Sequence, residues 1–191
     1  GNNNWMIHRI FRLIFLILSQ NFSLYGKKKM DNLVLDRILL VGDSITQLGC
    51  NPELNGWTAA MENAWIRRLE VMNRGFSGYT TKWWLSLIDR ILHNAQQPEC
   101  KIALATIFLG ANDAAFNETQ YVPYEDYIEN IKYLVTELQK CCKRIILICP
   151  PPVDTAKWPD REYSRVKSYR DGCISFAKST GIQVIDTWTV F

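Results

Sequence analysis

From Asp36 onward the chain alternates short, almost unbroken apolar runs with longer stretches whose apolar residues recur every three or four positions. The runs cover residues 38–41, 102–109, 145–149 and 182–185, with a weaker one at Val71-Met72. Runs of this length predict strands buried on both faces. Between them, Trp57, Ala60, Met61, Ala64 and Trp65 share one helical face, as do Trp84, Leu87, Ile88, Ile91 and Leu92. A third helix is predicted after Pro123, well suited to a first helical position, with a stripe of Tyr124, Tyr127, Ile128, Ile131, Leu134, Val135 and Leu138. A fourth carries Tyr163, Val166, Tyr169, Cys173, Ile174 and Ala177 and stops before Gly181. Strict alternation of strand and helix predicts a three-layer α/β sandwich around a five-stranded parallel sheet with right-handed crossovers.

At 191 residues and 48% hydrophobic composition, the chain has room for one well-cored domain. That domain is expected to span residues 30–191. The formal charge of +3 comes from the front of the chain: residues 1–29 hold Arg9, Arg12, Lys27, Lys28 and Lys29 and no acid, leaving 17 bases against 19 acids behind them. With bases and acids interspersed over the body, nucleic acid is not an expected partner.

Residues 10–18 are apolar except for Arg12 and follow Arg9, the form of a short signal-peptide core. They are too few for a stable membrane span. Residues 1–29 are therefore expected to be a leader outside the fold, with Met30 as an alternative start. The cytoplasm is the expected compartment, or the secretory route if residues 5–25 act as a signal. Cys50, Cys100, Cys141, Cys142, Cys149 and Cys173 form no CxxC pair and have no nearby His, which points to free thiols rather than a disulfide framework or a zinc site. No metal or cofactor is expected.

In parallel α/β sheets, ligands bind beyond the carboxyl ends of the strands. The first strand runs into Gly42-Asp43-Ser44, which structurally reads as a helix N-cap and chemically as a hydroxyl facing the cleft. After the second comes Asn73-Arg74-Gly75-Phe76-Ser77-Gly78, a plain turn or a glycine whose N–H can approach a ligand. The third leads into Gly110-Ala111-Asn112-Asp113, where Asn112 can bond its own loop or offer its NH₂ to the cleft. Together, Ser44, Gly78 and Asn112 supply what acyl transfer needs, an attacking oxygen and preorganised donors for the oxyanion, and they converge on one cleft if the first strand lies between the second and third, the expected order being 2-1-3-4-5. Asp43 and Asp113 are read as holding loop geometry.

These three stretches resemble the first three sequence blocks of the SGNH (GDSL) hydrolases. The likeness is closest to the isoamyl acetate-hydrolysing esterase branch, through Asn55-Gly56-Trp57-Thr58, the Asn73 to Tyr79 stretch, the Val122 to Tyr127 helix start and Pro150-Pro151-Pro152. It covers roughly residues 36–190. The resemblance implies a flavodoxin-like sandwich, a Ser44 nucleophile, and an oxyanion hole from Ser44, Gly78 and Asn112. The implied substrate is a small acyl ester.

The family's closing Asp-x-x-His block is not found: Thr189 stands three residues after Asp186, and Asp171-Gly172-Cys173-Ile174 falls inside a helix. The two histidines are His8, in the leader, and His93, at the end of the second helix. The expectation is that residues 30–191 lack that block through C-terminal truncation, leaving the chain inactive or weak as it stands. A serine ester hydrolase leads, with an acyltransferase or deacetylase as variants on the same site. A catalytically incomplete SGNH-like binding domain is the rival from another class. A flavin or nucleotide binder would rest on fold analogy alone, since neither GxxxxGK[ST] nor GxGxxG occurs. Asn21-Phe22-Ser23 and Asn117-Glu118-Thr119 match glycosylation sequons.

Overall fold

The computed structural model describes residues 34–54 and 56–189. The leader with its signal-like core, His8, the Asn21 sequon and Asn55 lie outside the described residues. Five parallel strands form one sheet in the order β2-β1-β3-β4-β5, the order expected if the loops after the first three strands are to converge. They are β1 (Arg37–Gly42), β2 (Glu70–Gly75), β3 (Ile102–Phe108), β4 (Ile145–Ile148) and β5 (Gln183–Ile185). The helices are α1 (Ser44–Gln47), α2 (Trp57–Trp65), α3 (Thr81–Leu85), α4 (Ile88–Ala95), α5 (Tyr124–Gln139) and α6 (Tyr163–Thr180).

Because the central strands are buried on both faces, their side chains divide between two cores. Leu39, Val41, Ile107 and Leu147 pack with Trp84, Ile88, Leu92, Ile131, Leu134, Val166 and Ala177, so helices α3 to α6 cover one face. On the other, Ile38, Leu40, Leu104, Phe108, Ile146 and Ile148 pack with Trp57, Met61 and Trp65 of α2, and Ile45 of α1 packs against the same core. Trp57 meets Phe108 edge to face at 6.4 Å. Each such aromatic pair adds about 0.5–1.5 kcal/mol beyond its area burial.

Two predicted elements come out differently. The stripe from Trp84 to Leu92 is broken between α3 and α4, where Leu87 N–H bonds to Trp84 O at 3.0 Å and the Ser86 hydroxyl donates to Trp83 O at 2.8 Å. The tighter turn and the competing hydroxyl interrupt the α-helical ladder, yet Trp84, Ile88 and Leu92 still face the same core. Pro123 is the N-cap rather than the first residue of α5, with ψ at 147°. The fourth helix ends as expected, on Gly181 in the left-handed region with φ 69°. No disulfide joins any of the six cysteines, and no described helix is long and apolar enough to cross a membrane.

Register places the loops of interest side by side. Gly42 pairs with Gly75 on one side and Phe108 on the other, so β1, β2 and β3 end at one level.

Candidate active site

The chain leaves β1 through a turn held from three directions. Gly42 O accepts from Phe76 N–H at 3.1 Å and from the Trp84 indole at 3.0 Å. Asp43 is the N-cap of α1, its Oδ1 accepting from Ile45 N–H at 2.9 Å. The capping role thus falls to Asp43, and the half-buried Ser44 hydroxyl forms no hydrogen bond among the described residues. α1 lies directly on the end of β2: a Cβ at Gly75 would stand 2.1 Å from Gln47 N and 2.7 Å from Asp43 O. Glycine is therefore required there by close approach of two backbones. Asn73 reinforces the contact, donating from Nδ2 to Thr46 O at 2.8 Å and accepting Gly75 N–H at 2.9 Å.

Beyond β2, Tyr79 N–H bonds to Phe76 O at 3.1 Å around Gly78, whose φ is 82°. A positive φ at the third position of a β-turn is the type II signature and favours glycine. The Gly78 N–H has no acceptor among the described residues, whereas Gln47 Oε1 accepts the neighbouring Ser77 N–H at 2.6 Å. This bond ties the Gly78 turn to α1.

Asn112 is 5% exposed, and its side chain bonds outside its own loop. Its Nδ2 donates to Tyr79 O at 2.8 Å, and its Oδ1 accepts from Arg161 Nη2 at 2.8 Å. One of the two amide hydrogens remains after the bond to Tyr79. The loops carrying Ser44, Gly78 and Asn112 are thus joined by hydrogen bonds at the carboxyl end of the sheet, on three adjacent strands.

Two buried carboxyls frame this end. Burial pushes Asp43 up to about 7, with the Asp113 charge adding and the Ile45 N–H and Arg161 opposing. Asp113 is raised by burial to about 6, against the bonds it accepts from Thr81. Both serve loop geometry, as their sequence positions suggested. His93, the one described histidine, lies on the last turn of α4. Arg37, at the start of β1, donates to the carbonyls of Asn94 and Ala95, which puts His93 at the amino end of the sheet, away from Ser44. Asp186 follows β5 and is engaged by Arg170 through Nε at 3.0 Å and through Nη2, while Thr189 hydroxyl bonds to Asp186 O at 2.9 Å.

Sequence reasoning missed Arg161. It lies 49 residues from Asn112, and no local pattern distinguishes it from other arginines. The Asn117 carboxamide of the second sequon is already committed, donating to Gln120 Oε1 at 3.0 Å and Asp160 Oδ2 at 2.9 Å and accepting the Thr119 hydroxyl at 2.8 Å. An open groove of about 700 Å³ between α5 and α6, lined by Tyr121, Tyr124, Arg165 and Tyr169 among others, does not include Ser44, Gly78 or Asn112.

Comparison with known proteins agrees with this fold. Human isoamyl acetate-hydrolyzing esterase 1 homolog is 35% identical over 174 residues, covering 83% of this chain and 69% of that protein. The Saccharomyces cerevisiae isoamyl acetate-hydrolyzing esterase is 39% identical over 130 residues, covering 64% of this chain and 53% of that protein. The solved acetylxylan esterase of Geobacillus stearothermophilus shares the fold at a TM-score of 0.63 and 21% identity, over 82% of this chain and 78% of its own. The model of the GDSL-like lipase/acylhydrolase family matches residues 40–191, and this chain is a member of that family.

Proposed function

We propose that this chain is a carboxylic ester hydrolase for small, acetate-like acyl esters, with Ser44 as the nucleophile. Ser44 Oγ attacks the ester carbonyl, the C–O bond to the alcohol breaks, and the serine proton leaves with the alcohol. Water then cleaves the acyl-serine to free acid. The oxyanion of each tetrahedral intermediate is held by the N–H groups of Ser44 and Gly78 and by Asn112 Nδ2, donors fixed before the reaction and able to act at little reorganisation cost. The observation that carries this reading is that, among the described residues, the Ser44 hydroxyl and the Gly78 N–H have no hydrogen-bond partner and lie on loops joined to that of an Asn112 amide whose oxygen is already taken. The isoamyl acetate-hydrolysing relatives favour a short acyl group.

Serine needs a base to become an effective nucleophile. Among the described residues the one histidine stands at the other end of the sheet. We therefore assign the base to a residue outside those described. The same observation favours, as a second reading, an SGNH-like domain that binds esters without cleaving them. One experiment separates the two: hydrolysis of p-nitrophenyl acetate, with fluorophosphonate labelling of the serine, by the full chain and by Ser44→Ala. Loss of both signals in a folded Ser44→Ala protein supports the hydrolase. Equal turnover and labelling in the two proteins would remove Ser44 from the mechanism.

A further inference from the structure

Asn112 can serve an oxyanion only if its NH₂, and not its oxygen, faces the cleft. The two ends of a carboxamide are nearly equal in size, so partners decide the orientation. Guanidinium has donors and no acceptor, and a backbone carbonyl only accepts. With Arg161 Nη2 on one side at 2.8 Å and Tyr79 O on the other at 2.8 Å, the oxygen must face Arg161 and the nitrogen must face Tyr79.

Arg161 is itself fixed. Its Nε donates to Ala111 O at 2.9 Å, its Nη1 to Asp160 Oδ1 at 2.9 Å, and its guanidinium lies 5.1 Å from the Trp158 ring centroid. Asp160 Oδ2 accepts from Asn117 Nδ2 at 2.9 Å, Asn117 Nδ2 also donates to Gln120 Oε1 at 3.0 Å, and Gln120 Nε2 donates to Gly78 O at 3.0 Å. Gly78 precedes Tyr79, whose carbonyl accepts Asn112. The bonds therefore close into a ring through Gly78, Gln120, Asn117, Asp160, Arg161, Asn112 and Tyr79. Both candidate oxyanion donors outside α1 sit in that ring, and Arg161 is its only positive charge.

We propose that Arg161 is a positioning residue for ester hydrolysis: it sets the amide orientation of Asn112 and, through Asp160, Asn117 and Gln120, couples it to the Gly78 turn. This rests on the oxyanion role given to Asn112 above. Arg161 touches no reacting atom. Its effect passes through Asn112, so the two residues must be non-additive.

The test uses the full chain with Arg161→Lys, Arg161→Gln, Asn112→Ala and the Arg161→Lys/Asn112→Ala double variant. Lysine keeps the charge but cannot span Ala111 O, Asp160 and Asn112 together. For p-nitrophenyl acetate, Arg161→Lys should lower kcat by about 10- to 100-fold, within the effect of losing one oxyanion donor, while KM moves less than about threefold. In the Asn112→Ala background the same change should cost less than about threefold. Wild-type kcat in Arg161→Lys, or losses that multiply in the double variant, would overturn the proposal. The side-chain amide resonances of Asn112 provide a readout independent of turnover. They should shift in Arg161→Lys and Arg161→Gln while those of Asn73 and Asn130 hold; unmoved Asn112 resonances would also overturn it. Turnover that survives Ser44→Ala would defeat the hydrolase reading instead, and the amide resonances would then decide the positioning role.

Discussion

Asp113, in the loop after β3, accepts both the backbone N–H of Thr81 at 3.0 Å and the Thr81 hydroxyl, so a single carboxyl oxygen anchors the start of α3. Thr81 is fully buried and takes a further bond from Asn130 Nδ2 at 3.0 Å. The loop carrying Asn112 is therefore tied to the helix that carries Trp84, whose indole holds Gly42 O.

Removing that anchor should cost stability in a way that depends on what replaces it. Asp113→Ala leaves the Thr81 N–H without its acceptor, an expected loss of about 1–3 kcal/mol. Asp113→Asn keeps an acceptor and removes a buried charge, so at pH 8 it should be close to neutral or stabilising. Urea unfolding of both variants checks the difference, and equal losses would show that the charge matters more than the acceptor.

Asn112→Ala should lower kcat by about 10²–10³ with little change in KM, the usual effect of losing one oxyanion donor. Steady-state kinetics on p-nitrophenyl acetate measures it. A change confined to KM would assign Asn112 to substrate binding instead.

Stability should fall as pH rises through the titration of the buried carboxyls. Asp43 moves from 3.8 to about 7 and Asp113 from 3.8 to about 6, both chiefly through burial, so the folded state holds protons that the unfolded chain releases. Their favourable contribution is complete below pH 3.8 and is lost by about pH 7, with a slope of at most about 1.4 kcal/mol per pH unit for each proton. Asp43→Asn, which can still cap α1, should flatten the profile between pH 4 and 7 in chemical denaturation. An unchanged slope would mean that Asp43 is charged in the fold throughout that range.

Substitution of His93 by Gln should leave Ser44-dependent turnover within about twofold, because Arg37 fixes the end of α4 at the amino end of the sheet, opposite Ser44. A large loss would place an imidazole near Ser44 by a route other than this fold.

The strands were legible because unbroken apolar runs such as Ile102 to Phe108 leave few alternatives. Ser44 and Asn112 were legible as candidates because each follows directly on such a run. The break between α3 and α4 was hidden because Trp84, Ile88 and Leu92 keep helical spacing through it. Arg161 was hidden for a different reason. Its role depends on β3 and β4 being neighbours, and its partners Ala111, Asn112 and Asp160 come from two separate loops.

The backbone contact between Gly75 and α1 divides the site into a part that tolerates change and a part that does not. Where a methyl group would stand 2.1 Å from Gln47 N, no side chain can be added without displacing the serine turn. The nearby ring chain is different: Phe76, Tyr79 and Trp83 touch one another at 5.1 and 5.2 Å, and Trp83 is 40% exposed. Trp83, at the outer end of that chain, can be exchanged without touching the Gly75 contact, whereas Phe76 also packs on Trp84 at 5.4 Å. A change at Trp83 is therefore a change of surface, whereas a change at position 75 is a change in the path of the backbone that carries Ser44.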